Sequence, residues 1–240
     1  MKRAAAAIFL VLAAAPGAAA EDTFASARRE LLAEIVADGK MTAAFTGRPR
    51  FAPKVLAALA QVPRHRFVPA LARPFAYLNR PLPISHGQTI SQPYIVALMT
   101  DLLEVEPDHV VLEVGTGSGY QAAVLAGLVA RVLSLEIIEP LARQAKARLA
   151  QLGYDNVTAR QADGYDGWPE MAPFDGIIVT AAADHIPPPL VAQLKPGGRL
   201  IIPVGPRFLT QQLVLVEKDR HGNVRTRQIL PVRFVPLTGR

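Results

Sequence analysis

Residues Val110 to Tyr120 read Val-Val-Leu-Glu-Val-Gly-Thr-Gly-Ser-Gly-Tyr, an apolar run broken by one acid and closed by three glycines on alternate positions. The first half fits a strand buried on both faces, and Gly115, Gly117 and Gly119 allow a tight turn that brings bare backbone against a ligand. Such a turn suits a nucleotide-like cofactor, although a glycine-rich strand-to-helix turn with no ligand satisfies the same pattern. The dinucleotide fingerprint, Gly-x-Gly-x-x-Gly, puts its third glycine at position 120, where this chain has Tyr120. Two further acids end apolar runs: Glu136, and Asp163 beside Gly164. In an open parallel sheet the ligand lies at the carboxyl ends of the strands, near the point where strand order reverses, so acids ending successive strands converge there.

Those positions require a particular succession of elements. Strands are expected at Val110 to Val114, Val132 to Glu136, Val157 to Gln161, Phe174 to Thr180 and Arg199 to Val204, the last after a Lys195-Pro196-Gly197-Gly198 turn. Helices are expected from Tyr120 to Leu128, from Pro140 to Leu152 with Gly153 as C-cap, and from Pro188 to Leu194. Gln212 to Glu217 and Arg225 to Val235, joined around His221-Gly222-Asn223, read as a closing antiparallel hairpin. Before them, helical spacing covers Phe24 to Asp38, Pro53 to Leu59 and Tyr94 to Glu104, whereas Val62 to Pro69 and Arg73 to Gln88 read as ordered loop. The fold class is α/β: a doubly wound, Rossmann-like sheet, mostly parallel with an antiparallel C-terminal hairpin, plus an N-terminal helical cap.

Composition narrows the chemistry. The 240 residues contain no cysteine, so disulfides, thiolate metal sites and a cysteine nucleophile are excluded by inventory. His65, His86, His109, His185 and His221 lack ligand-like spacing, and no metal is expected. The formal charge of +6 falls to +4 when the first twenty residues, which hold Lys2 and Arg3 but no acid, are set aside. The cations are dispersed, so nucleic acid is not an expected partner. Lys2-Arg3, the apolar run Ala4 to Ala15, Pro16-Gly17 and the small residues Ala18-Ala19-Ala20 read as a secretory signal cleaved before Glu21, too short to anchor the mature chain in a membrane. Three segments result: 1–20, a signal peptide; 21–106, the helical cap and substrate loop; and 107–240, the cofactor-binding α/β domain.

Glu113, two residues before Gly115, together with Gly119, resembles motif I of class I S-adenosylmethionine-dependent methyltransferases. The segment Leu82-Pro83-Ile84-Ser85-His86-Gly87-Gln88-Thr89-Ile90-Ser91-Gln92-Pro93-Tyr94 resembles the signature of the protein-L-isoaspartate (D-aspartate) O-methyltransferase family, whose Thr-Ile-Ser-x-Pro core precedes motif I. Further similarities lie at Val62 to Pro69, Asp175 to Ala182, Lys195 to Gly205 and Val232 to Leu237, so the resemblance spans roughly Leu31 to Thr238. Two departures are Ser85, where the family usually has Gly, and Asn79, where an acid is common.

The resemblance implies a methyltransferase sheet with S-adenosylmethionine as cofactor and isoaspartyl proteins or peptides as substrates. Gly115, Thr116, Gly117, Ser118 and Gly119 would approach the methionine part of the cofactor, with Glu113 toward its ammonium. Glu136 would accept from the ribose hydroxyls, and Asp163 with Gly164 would meet the adenine. Ser91 is implied as the active-site residue, with Gln88, Thr89, Ile90, Pro203 and Val204 on the substrate side. Pro83 to Gln88 and Pro203 to Gln212 are expected to clamp an extended peptide. N-capping of the following helix is an alternative use for Ser91. The methyl ester formed would close to a succinimide and thereby begin repair. A monomer is expected, periplasmic or secreted if the signal is genuine, or cytoplasmic as is usual for the family. The competing functions are methylation of a small molecule and non-catalytic binding of the cofactor.

Overall fold

The computed structural model describes residues 18–239, with side chains from Phe24 onward. Its centre is a seven-stranded sheet: β3 (Val110–Val114), β4 (Arg131–Glu136), β5 (Val157–Gln161), β6 (Phe174–Val179), β7 (Leu194–Val204), β8 (Gln211–Lys218) and β9 (Val224–Val232). The spatial order is β5-β4-β3-β6-β7-β8-β9, so the order reverses between β3 and β6. The pairs from β5 to β7 are parallel, whereas β7 with β8 and β8 with β9 are antiparallel. This is the expected fold class, with β3 and β5 at the expected bounds. The turn expected before the fifth strand instead lies within β7, where Phe174 opposes Leu194 and Gly176 opposes Arg199.

Alternation along β3 sorts the side chains between two layers. Val111 packs with the helices that precede the sheet, whereas Leu112 and Val114 belong to the opposite core with Phe174, Ile177 and Leu190. The first layer contains α1 (Ala18–Met41), α3 (Pro53–Gln61), α4 (Pro93–Leu102) and α5 (Tyr120–Ala126), and the turn α2 (Ala43–Thr46) adjoins it. α6 (Glu139–Gln151) ends at Gly153, whose φ of +78° provides the expected glycine terminus. α7 (Pro188–Ala192) buries Leu190 on the other side.

Every residue of α4 is buried, between the cap and the sheet. Pro93 occupies its first position, where a missing N–H costs nothing. Asn79 Oδ1 accepts from Tyr94 N at 3.0 Å, and Asn79 Nδ2 donates to Asp38 Oδ2 at 2.8 Å. An acid at position 79 would serve the first contact but repel Asp38, which accounts for the asparagine.

The stretch expected as loop contains 3-10 turns at Arg64–Arg66 and Ala70–Phe75 and a miniature hairpin, β1 (Leu82–Pro83) with β2 (Thr89–Ile90). His86 and Gly87 both have positive φ, which a type I′ turn requires at its two central positions. Ser85 precedes them, outside the left-handed region, and its carbonyl accepts from Gln88 N at 2.9 Å. Serine therefore fits there without strain.

The signal-peptide expectation falls largely on residues 1–17, outside the described residues; Ala18–Ala20 open α1. Among the described residues no helix is long and apolar enough to cross a membrane, and no group of three or more His, Asp or Glu side chains could hold a metal ion.

Candidate active site

A cleft opens at the carboxyl ends of β3, β4 and β6, where the strand order reverses. Its wall includes Gln88 to Ser91, Val114 to Ser118, Leu135 to Ile138, Gly164, Thr180, Ala181 and Val235 to Thr238. The glycine loop is held by its own backbone and by β4: Gly115 N and Thr116 N both donate to Leu135 O, at 2.8 and 3.0 Å. Gly115 has φ +96°, and a Cβ there would stand 2.5 Å from Thr180 Oγ1, which donates to Gly115 O at 2.6 Å. Gly115→Ala is expected to combine backbone strain with this collision, weakening cofactor affinity at least tenfold in calorimetry. Wild-type affinity would show that the loop tolerates a side chain.

Glu136 lines the cleft and is 6% exposed. Its Oε2 accepts from Gly117 N at 2.8 Å and its Oε1 from Ile138 N at 3.0 Å. A carboxylate offers about four acceptor sites, so it retains capacity for two hydroxyl donors. Gly164 is closed to any side chain, because a Cβ would be driven into Val114 Cγ1.

Ser91 follows β2 and borders the cleft, and its hydroxyl makes no hydrogen bond among the described residues. Gln92, not Ser91, occupies the N-cap of α4, with no side-chain cap bond. A second depression shares Thr89, Ser91, Thr180 and Val235 with the first, and continues along Pro81, Gln92, Ile95, Thr210 and Pro231 to Phe234.

A family model described as Protein-L-isoaspartate(D-aspartate) O-methyltransferase matches residues 47–240. The chain belongs to this family. It is 62% identical over 234 residues to protein-L-isoaspartate O-methyltransferase 2 of Syntrophobacter fumaroxidans, covering 97% of this chain and 95% of that protein. A Polaromonas protein-L-isoaspartate O-methyltransferase 2 is 65% identical over 209 residues, 87% of this chain and 99% of its own. Among solved structures, a Plasmodium falciparum protein described as a protein-L-isoaspartate O-methyltransferase, in complex with S-adenosyl-L-homocysteine, superposes with TM-score 0.72 at 26% identity. That match covers 88% of this chain and 98% of the other.

Of the residues picked out in the sequence, Gln88, Thr89, Ile90, Ser91, Gly115, Thr116, Gly117, Ser118, Glu136 and Gly164 converge on this cleft. Five lie elsewhere. Glu113 is fully buried on the α5 face of β3, since alternation turns it away from the cleft. Ser134 Oγ donates to Glu113 Oε2, and Thr116 Oγ1 shares a 2.5 Å bond with Ser134 Oγ, so Glu113 supports the loop from behind. Gly119, with φ +86°, starts α5 and lets it approach Leu149, whose Cγ would lie 3.2 Å from a Cβ. Asp163 accepts from Tyr165 N at 2.9 Å and is overlain by Gly239, leaving Gly164 as the lining residue. Pro203 and Val204 are paired with β8 on one side and bridged to Ala183 on the other, which leaves no free edge for a peptide. Thr210 alone from Pro203 to Gln212 reaches the second depression.

Burial pushes the Glu113 carboxyl up to about 8, with the Ser134 bond opposing and Glu136 reinforcing the shift. An unfolded glutamic acid ionises near 4.3, so between roughly that pH and 8 the unfolded chain sheds a proton that the folded chain keeps. Stability is therefore lost as pH rises through this window and levels off above it. Glu113→Gln removes the linkage: its stability relative to wild type is expected to rise by a few kcal/mol, on the order of one per pH unit, from pH 5 to 8. Urea unfolding at each pH reads this, and a gap independent of pH would refute the buried neutral acid.

Thr180, Tyr120 and the 235–238 tail also line the cleft and were not picked out as site residues. Two sequence signals bear on them, the Asp175 to Ala182 and Val232 to Leu237 similarities, but neither says which residues face inward.

Proposed function

We propose that the chain transfers a methyl group from S-adenosylmethionine to the free carboxylate of L-isoaspartyl, and D-aspartyl, residues in damaged proteins, the first step of repair through a succinimide. The observation that carries this reading is the joining of the Gln88–Ser91 segment and the glycine loop in one cleft, in a chain of this family.

The residues present fit the cofactor. Glu136 has spare acceptor sites for a ribose, the 115–118 backbone lies bare, and Gly164 leaves a flat wall. When bound, S-adenosylmethionine supplies an electrophilic methyl group. The acceptor carboxylate, with a solution pKa of about 4, is already ionised at neutral pH and needs no general base. The protein's task is alignment and exclusion of water, and alignment alone can contribute roughly 7–11 kcal/mol. Under this proposal the Ser91 hydroxyl orients the carboxylate where the two depressions meet, and the substrate backbone occupies the second depression; that Ser91 borders both supports it. In this reading 21–106 supply the acceptor side and 107–240 the donor side, with Thr210 and Pro231 to Val235 crossing over to the acceptor side.

The decisive assay incubates the purified protein with labelled S-adenosylmethionine and either an isoaspartyl peptide or its aspartyl twin. Label in the isoaspartyl peptide alone is expected. Equal labelling of both, or none despite cofactor binding, would sink the assignment.

Residues 1–20 are proposed as an export signal. Phe24, which packs against the core, is retained in Glu21–Arg240, and that chain is expected to melt within about 2 °C of the full one. Sequencing the N-terminus from cells tests the address, and an intact Met1 in a cytosolic fraction would refute it.

A further inference from the structure

Arg64 is fully buried at the start of the 3-10 turn Arg64–Arg66. Its Nε donates to Ala76 O at 2.9 Å and its Nη2 to Ser91 O at 2.8 Å. The guanidinium lies 4.8 Å from the centre of the Tyr120 ring and interacts with that side chain, while among the described residues Nη1 has no hydrogen-bond partner of good geometry. Among the described residues no carboxylate acts on Arg64; burial holds it below its ordinary pKa, with Tyr120 and Tyr77 opposing. A buried cation without a counter-ion is costly, and an apolar side chain of similar volume is often as stable or more so. Stability therefore gives no reason for an arginine here. Its two ends do: Ser91 borders both depressions, and Tyr120 lines the donor cleft directly after the glycine loop.

We propose that Arg64 is a positioning residue, fixing the Ser91 backbone at a set distance from Tyr120 and so holding the acceptor segment in register with the donor loop. Arg64 lines neither depression and acts only through these two residues. The inference rests on the proposed function, because the register matters only if the two segments hold the two reactants.

The test is a double-mutant cycle in steady-state methylation of an isoaspartyl peptide, with Arg64→Met, Ser91→Ala and both together. Arg64→Met is expected to lower kcat at least tenfold and leave the peptide KM within about threefold, since a misplacement of about 1 Å can cost 10²-fold. Arg64→Lys, which retains the cation but one donor point, should recover part of the loss. In the Ser91→Ala background, removing Arg64 should cost less than threefold, because the group it positions is already gone. An unchanged kcat, or the same fold-loss in both backgrounds, would overturn the proposal. Should Arg64→Met fail to fold, Arg64→Lys takes its place in the cycle; failure of both to fold assigns Arg64 to structure alone and also overturns it. If the wild type methylates no isoaspartyl peptide, the functional reading fails separately. Amide exchange over residues 88–92 then decides: at least tenfold faster exchange in the folded variant supports the positioning role, and an unchanged rate refutes it.

Discussion

Replacing Glu136 with Ala is expected to weaken binding of S-adenosylmethionine or S-adenosylhomocysteine by roughly 10²- to 10⁴-fold. Each hydrogen bond to a charged group is worth about 1.5–3 kcal/mol, and two such bonds to the ribose would be lost together. The glycine loop would loosen as well, because Glu136 also accepts from Gly117 N and Ile138 N. Glu136→Gln is informative beside it. The amide keeps one acceptor but presents an NH₂ group toward either a backbone N–H or a ribose hydroxyl, so its loss should be nearly as large. Calorimetric titration with S-adenosylhomocysteine reads both variants. A change under fivefold in Glu136→Ala would remove this carboxylate from cofactor recognition.

Ser91→Ala is expected to act on the other parameter. Among the described residues its hydroxyl has no bond of its own and no capping role, and in the proposed function it holds the acceptor carboxylate. Its removal should lower kcat about 100-fold, the scale of a misplaced reactant, with cofactor affinity within about threefold. The fold should be unaffected, since Ser91 borders a cleft and is not fully buried. Unaltered turnover would exclude Ser91 from positioning the substrate. The two variants together separate donor binding from acceptor alignment, and neither result can be inferred from the other.

Much of this architecture is legible in the residues, and the reason differs from place to place. β3 and β5 can be bounded to the residue because a short apolar or branched run ends abruptly in glycine, asparagine or alanine. The glycine loop is equally plain, since three positive-φ positions in five residues, one of them closed by Thr180 and another crowded by Leu149, favour glycine. The face on which a side chain falls is harder. Glu113 lies next to the loop in sequence, yet the pleat sends it behind the sheet, where it braces Ser134 and Thr116 instead of touching a ligand. Pro203 and Val204 carry a family-like pattern, but both of their edges are consumed by β8 and Ala183. The β1–β2 hairpin escapes notice because each strand has two residues and its turn is His-Gly, a weaker signal than Asn-Gly. Arg64 illustrates the opposite limit: an arginine between prolines reads as a surface charge, and only the packed structure reveals it to be interior.

The tail beyond β9 runs beside Ala182, with Ala182 N donating to Val235 O at 2.8 Å and Leu237 N to Ala182 O at 2.7 Å, and it walls the donor cleft. The cleft thus unites segments 150 residues apart, from Gln88 to Thr238. During synthesis every other part of the wall is made before this one, so a nascent chain carries an incomplete donor site however well its earlier strands have folded. The wall closes only once residues 235–238 have been made and have paired with Ala182.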